Sequence, residues 1–95
     1  MKMAEVTVTL PTPLAASLGV NKEIKIQALN LRELIKSLGE RYGAKLTQKL
    51  LDQQGRLNPI INIYVNGRNI RYTGELETPL KEGDKVSILP AVAGG

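Results

Sequence analysis

The sequence ends in Gly94-Gly95, and the terminal carboxylate is the group best placed to do chemistry. Two residues without a Cβ can pass extended through a narrow cleft and bring the carboxyl carbon to another protein's nucleotide or nucleophile. From Pro90 to Gly95 the extended reach is on the order of 20 Å, at roughly 3.3–3.6 Å per residue. The pattern predicts a tail that works inside a partner's active site. A frayed terminus without function is the alternative.

The rest of the composition excludes most other chemistry. The chain has no Cys and no His, which excludes thiol nucleophiles, disulfides, iron–sulfur ligation and the usual zinc sites. The acids Glu75, Glu77, Glu82 and Asp84 lack the spacing of a calcium loop and are typical of a solvated rim. The glycines are scattered and form no phosphate-binding cluster. We therefore expect no metal site and no catalytic side chain.

The charge is basic but dispersed. There are 13 Lys and Arg against nine Asp and Glu, a formal charge of +4, and three tyrosines as the only aromatic residues. This pattern disfavours direct nucleic-acid binding and favours encounters with acidic partner surfaces. No apolar run is long enough to span a bilayer. The first residues lead directly into an alternation of polar and apolar side chains, whereas a signal peptide has a continuous apolar region. We expect a cytoplasmic protein without membrane association.

Hydrophobic periodicity predicts two strands at the start of the single domain that 95 residues allow. The inward positions of these strands are Val6, Val8, Leu10, Ile24, Ile26 and Ala28. Pro11 and Pro13 end the first strand. We expect an irregular loop, around residues 17–21, to join the two strands.

A helix follows the second strand. Asn30 and Glu33 have the spacing of a capping box, and the helix ends near Tyr42-Gly43. Its apolar face consists of Leu31, Leu34, Ile35 and Leu38. A shorter helical piece, with Leu46, Leu50 and Leu51 as its apolar residues, precedes a turn at residues 52–55.

Three strands complete the predicted domain. Residues 60–65 are a run of β-formers, and Asn66-Gly67 is a strong hairpin signal that leads into a short strand at 69–72. Gly83-Asp84 turns the chain into the last strand, 85–89, whose ladder Pro90 stops. The order predicts an α+β domain at residues 1–89, with a mixed sheet packed on one main helix. Residues 90–95 form the flexible tail.

Candidate docking residues lie close to the root of this tail. If residues 61, 63 and 65 face the helix, then Ile60, Tyr64 and Leu89 point to the opposite side of the sheet, near Val92. Scattered exposed apolar residues are the alternative. Arg68 and Arg71 flank the hairpin and would contact an acidic partner, or they are ordinary edge-strand charges.

Four features carry a family resemblance that covers essentially the whole chain. They are the element order, the block Asn-Ile-Tyr-Val-Asn-Gly at 62–67, the turn Gly83-Asp84-x-Val86, and the end Leu-Pro-Ala-Val-Ala-Gly-Gly at 89–95. Together they resemble the ubiquitin-like sulfur-carrier proteins of the ThiS and MoaD family. The tail and the central block are most similar to the CysO-type branch, whereas short ThiS carriers lack the added segment 46–58.

The resemblance implies a β-grasp fold and a carrier role. Gly95 would be the carboxyl that is activated, and Gly94, Ala93, Val92 and Ala91 would thread into the partner. An ATP-dependent, ubiquitin-activating-type enzyme would form an acyl-adenylate on Gly95, and a sulfur source would displace AMP to leave a thiocarboxylate. The chain would not itself be an enzyme and would bind no cofactor, since the partner uses the ATP and Mg²⁺.

The resemblance leaves four acceptors of the sulfur open: a serine-derived amino acid on a pyridoxal-phosphate enzyme, a molybdopterin precursor, a thiazole and a tRNA base. A cysteine synthase is favoured, and the large subunit of molybdopterin synthase is next, with this chain as its non-catalytic small subunit. The free protein would be a monomer. Two alternatives stay open: a ubiquitin-like modifier joined to target lysines through Gly95, and a β-grasp binding module with no tail chemistry.

Overall fold

The computed structural model describes residues 3–90. The strands are β1 (Ala4–Thr9), β2 (Glu23–Ala28), β3 (Ile61–Val65), β4 (Arg68–Asn69) and β5 (Lys85–Pro90). The α-helices are α1 (Thr12–Leu18), α2 (Leu31–Tyr42) and α3 (Ala44–Leu50), and two single 3₁₀ turns span Ile70–Tyr72 and Glu75–Glu77. Within this part of the chain, no helix is long and apolar enough to cross a membrane.

The five strands form one mixed sheet in the order β2-β1-β5-β3-β4. β1 and β5 are parallel, with Val8 opposite Val86, and the other neighbours are antiparallel. β5 therefore lies in the middle of the sheet, between the first strand and the hairpin strand β3. The predicted α+β class with a mixed sheet on one main helix is confirmed.

The main helix packs on one face of the sheet through the predicted residues. The Asn30 side chain accepts a hydrogen bond from the Glu33 backbone N–H at 2.9 Å, which satisfies a donor of the first turn of α2. All four residues of the predicted apolar face are buried, together with the inward residues of β1, β3 and β5. The opposite face of the sheet is therefore left to solvent or to a partner.

One helix lies where we expected an irregular loop. α1 begins directly after Pro11 and carries Pro13 in its first turn, where a missing N–H costs nothing. It ends at Gly19, whose φ of +68° is the left-handed conformation that terminates helices, and the Gly19 N–H donates to the Ala16 carbonyl. The loop that joins the two strands is confined to residues 19–22, and α1 was missed because the prolines that end β1 also start this helix.

Two strand boundaries also differ from the prediction. The strand expected at 69–72 is only the pair Arg68–Asn69, and the Asn69 side chain then accepts from the Arg71 N–H and starts a 3₁₀ turn. Pro90 was expected to stop the ladder, but it is the last residue of β5 and pairs with Ile61. A proline is tolerated at this position because its fixed φ suits an extended chain.

Candidate functional site

The candidate site is the surface around Pro90, the last described residue before the predicted tail. Ile88 is buried opposite Ile63, and Pro90 is exposed opposite Ile61. β5 pairs with β1 only through Lys85–Ser87, whereas its pairing with β3 continues to Pro90, so the root of the tail is held by β3. The predicted threading residues Ala91, Val92, Ala93 and Gly94, and the predicted carrier residue Gly95, lie outside the described residues.

An apolar groove opens beside Pro90. Its volume is about 640 Å³, and its apolar walls are Pro11, Pro13, Leu14, Ile60, Ile61 and Pro90. The polar residues that also line it are Ser17, Gln48, Lys49 and Asn58. The walls come from α1, from α3 and from the start of β3, so that three separate segments of the chain converge at the root of the tail. We call this surface the tail-root groove.

Asn58 fixes the wall of the tail-root groove that leads into β3. Its side-chain amide donates to the Lys49 carbonyl at 3.3 Å, and its side-chain oxygen accepts from the Ile60 N–H at 3.1 Å. The Asn58 backbone N–H also donates to the Leu50 carbonyl at 2.9 Å. These bonds join the end of α3 to the residues that enter β3, and they position Ile60 in the groove.

The three predicted apolar docking residues occupy two surfaces. Leu89 is 44% exposed opposite Asn62, and Tyr64 is half-buried opposite Ser87, so both lie on the face of the sheet away from α2. The register makes Tyr64 and Leu89 diagonal neighbours on adjacent strands. Ile60 is 64% exposed but precedes β3 and lines the tail-root groove. The two surfaces adjoin the root of the tail from different sides.

The two predicted arginines lie at opposite ends of β3. The Arg71 guanidinium donates to the Ile61 carbonyl at 3.1 Å, which brings it to the end of β3 that pairs with Pro90. Arg68 is opposite Val65 at the other end of the strand, four residues or roughly 13 Å away at 3.3–3.4 Å per residue. Only Arg71 is therefore close to the root of the tail.

Two of the four acidic residues that were predicted to form a solvated rim, Glu77 and Asp84, interact with different partners. Glu77 forms an ion pair with Arg32 at 2.8 Å, and Asp84 accepts from the Asn66 amide at 2.8 Å. Within residues 3–90, no three possible metal-ligating side chains lie together.

Sequence reasoning missed the part of the site that α1 and Asn58 build. The signals were present: Pro13 suits a first helical turn, and Leu14 and Leu18 have the i, i+4 spacing of a helix face. Asn58 precedes Pro59, and asparagine before proline favours the start of a turn. That these segments meet at Pro90 depends on long-range packing, which no local pattern reports.

The sequence is similar to known sulfur carriers along most of its length. The ThiS family model matches residues 8–95. A protein of Archaeoglobus fulgidus that is named as a sulfur carrier is 48% identical over 73 residues, which are 77% of this chain and 82% of that protein. The sulfur carrier protein CysO of Mycobacterium tuberculosis is 39% identical over 92 residues, which are 95% of this chain and 98% of that protein.

Solved structures with the same fold include carriers and a modifier. A chain of the crystal structure of the Amycolatopsis orientalis BexX/CysO complex superposes with a TM-score of 0.82 at 37% identity, covering 95% of this chain and 99% of that one. The solution structure of small archaeal modifier protein 1 from Methanosarcina acetivorans superposes with a TM-score of 0.82 at 35% identity, covering all of both chains. The β-grasp, ubiquitin-like fold is thereby confirmed.

Proposed function

Because this chain belongs to the ThiS family and is of the CysO and ThiS sulfur-carrier type, we propose that it carries sulfur as a thiocarboxylate on Gly95. The observation that carries this proposal is the extent of the similarity. The family model runs to residue 95, and the match with CysO spans nearly the whole of that protein. Gly94-Gly95 therefore fall within the region of family similarity.

The chemistry needs activation because a carboxylate is a poor acyl donor. A Gly95 oxygen attacks the α-phosphorus of ATP, pyrophosphate leaves, and an acyl-adenylate forms. A sulfur nucleophile then attacks the carbonyl carbon and expels AMP, so that one oxygen of the carboxylate is replaced by sulfur. Two easier covalent steps replace one difficult step. The ATP and Mg²⁺ are held by an adenylating partner of the ubiquitin-activating type, which also stabilises the phosphate charge.

The folded body supplies position and recognition, and the partner enzyme supplies the catalysis. Pro90 pairs with Ile61 of β3, so that the root of the tail has a fixed position beside the start of that strand. Leu89 and Tyr64 on the outer face, and Arg71 beside Ile61, surround that point and are the proposed contacts of the partner. Since the tail is short, the partner's active site must open close to these residues.

We propose cysteine synthesis as the pathway, with a cysteine synthase as the enzyme that accepts the sulfur. The similarity to CysO over nearly its whole length supports this choice. The BexX/CysO complex is a structure of a carrier of this kind with another protein, which supports a role exercised through partner enzymes. Molybdopterin synthesis, with this chain as the small subunit, is the next candidate.

A second candidate function is protein modification. The observation in its favour is the match with small archaeal modifier protein 1 over the whole of both chains. Both functions share the adenylation of Gly95 and differ in the group that attacks the acyl carbon, which is sulfur in the carrier and a lysine amine in the modifier. A binding module without tail chemistry would need neither the adenylation of Gly95 nor the attack on its acyl carbon.

Reconstitution with the adenylating enzyme of the same organism tests the proposal. The purified chain, ATP, Mg²⁺ and sodium sulfide should produce pyrophosphate and a protein in which one oxygen is replaced by sulfur. A variant that lacks Gly94 and Gly95 is the control and should be inert. Pyrophosphate release without sulfur incorporation, together with lysine-linked products, would favour the modifier. Equal pyrophosphate release by the truncated control would refute activation at Gly95.

A further inference from the structure

Two sequence motifs that the proposed function does not use, Asn66-Gly67 and Gly83-Asp84, meet at the end of β3 away from Pro90. The Asn66 side-chain amide donates to the Asp84 carboxylate at 2.8 Å, and its oxygen accepts from the Lys85 backbone N–H at 2.9 Å. The other carboxylate oxygen of Asp84 accepts from the Lys81 N–H at 2.8 Å. Both polar atoms of the Asn66 side chain are therefore held by the start of β5 and the turn before it.

Asn66-Gly67 also has the residue types for a reaction of the chain with itself. Asparagine before glycine deamidates readily, because a residue without a Cβ leaves its backbone nitrogen open to the preceding side chain. Of the six asparagines, only Asn66 precedes a glycine. The Gly67 nitrogen attacks the Asn66 Cγ and bonds to it, the bond from Cγ to Nδ2 breaks, and ammonia leaves with the proton of the Gly67 N–H. Water then opens the cyclic imide at either carbonyl, which leaves aspartate or isoaspartate.

We propose that Asn66 is the site of spontaneous deamidation in this chain, and that its bond to Asp84 protects it in the folded protein. Closing the imide ring requires the Asn66 side chain to rotate onto the Gly67 nitrogen, and both of its hydrogen bonds oppose that rotation. The bond to Asp84 is made to a carboxylate, and such bonds are stronger than neutral ones. Deamidation therefore proceeds from the small population in which this side chain is released by local opening.

The product differs from asparagine at the atom that the fold uses. Deamidation replaces the donor Nδ2 by an acidic oxygen, which would face the Asp84 carboxylate where the 2.8 Å bond now lies. Two carboxylates in contact repel each other. Isoaspartate also adds a carbon to the backbone of the turn between β3 and β4. Either product loosens the hairpin from β5, whereas the pairing of Pro90 with Ile61 is at the other end of the ladder.

Ageing of the purified protein at mildly alkaline pH tests the assignment of the site. Peptide mapping by mass spectrometry and enzymatic methylation of isoaspartate are the readouts. In urea, Asn66 should deamidate faster than every other asparagine, Gly67→Ala should slow the reaction, and the folded protein should react many-fold more slowly. Faster deamidation of another asparagine in urea, or equal rates at Asn66 in urea and in the folded protein, would overturn the proposal.

Asp84→Ala separates the protecting bond from the stability of the whole domain. In the folded state it should raise the rate at Asn66 about tenfold or more, since a hydrogen bond to a charged group is worth that much in an opening equilibrium. Asn58→Ala is the matched control, because it also removes side-chain hydrogen bonds but leaves those of Asn66 in place. No rise for Asp84→Ala, or an equal rise for Asn58→Ala, would overturn the protective role.

Asn66→Asp reproduces one product and gives a second measurement, which does not depend on how Asp84→Ala folds. It should lower the urea concentration at the unfolding midpoint. Asn69→Asp is its control and should leave the midpoint nearly unchanged, because the Asn69 side chain accepts from the Arg71 N–H and an aspartate keeps that acceptor. Equal midpoints for the two variants would contradict the proposed contact of the product with Asp84. None of these measurements involves Gly95, so their outcome is independent of the proposed function.

Discussion

The junction that Asn58 makes between α3 and β3 leads to a prediction about stability. Asn58→Ala removes the bond to the Lys49 carbonyl and the bond from the Ile60 N–H. Asn58→Asp removes only the first, because an aspartate keeps the acceptor oxygen but has no amide N–H. The two substitutions therefore separate the two bonds.

The magnitudes follow from the net value of a hydrogen bond. Each contributes about 0.5–1.5 kcal/mol, and Asn58 is half-buried. We expect Asn58→Ala to lower the free energy of unfolding by about 1–3 kcal/mol. Asn58→Asp should lower it by about 0.5–1.5 kcal/mol. Asn21→Ala, at an exposed loop position, is the control and should stay within about 0.5 kcal/mol of the unchanged protein.

Urea unfolding followed by circular dichroism gives these free energies. The slope of the free energy against urea should be the same in all four proteins, because the surface exposed on unfolding is unchanged. A loss below about 0.5 kcal/mol for Asn58→Ala would refute the assignment of Asn58 as a structural junction. Equal losses for alanine and aspartate would show that the bond to Ile60 contributes nothing.

Other substitutions test the core, the tail and a surface ion pair. Leu34→Ala should lower the free energy of unfolding by about 2–5 kcal/mol, because Leu34 is fully buried, whereas Lys36→Ala on the same helix should cost no more than about 0.5 kcal/mol in urea unfolding. Gly94→Trp should abolish pyrophosphate release with the adenylating enzyme and leave the melting temperature unchanged, and normal release would contradict the threading mechanism. Arg32→Ala should cost about 1 kcal/mol or less in the same unfolding assay, because its ion pair with Glu77 is more than half exposed.

The fold could be predicted from the sequence wherever one local pattern determines the structure. α2 was predicted correctly from the capping box of Asn30 and Glu33 and from the four-residue apolar face, because both signals indicate the same helix. Asn66-Gly67 gave the hairpin, and both residues have the positive φ that its turn requires. α1 was missed because Pro11 and Pro13 end a strand and start a helix equally well, and a pattern of strand breakers does not distinguish the two.

The candidate site was less predictable, because it depends on which distant segments meet. Leu89 and Tyr64 could be assigned to one face from alternation alone. Ile60 was grouped with them by the same alternation, but it precedes β3 and turns into the tail-root groove with α1. Arg68 and Arg71 are three residues apart, yet the 3₁₀ turn at Ile70–Tyr72 directs Arg71 back to Ile61 and leaves Arg68 at the far end of the strand.

The most direct test of the proposed function is the chemical state of Gly95 in the organism's own cells. Intact-mass and C-terminal fragment spectra of the isolated protein should show a population in which one oxygen of the Gly95 carboxylate is replaced by sulfur. Treatment with an alkylating agent should label that population on sulfur and leave the Gly94→Trp variant unlabelled. An ordinary carboxylate throughout, with Gly95 found instead in amide linkage to lysines of other proteins, would contradict the carrier role and favour the modifier.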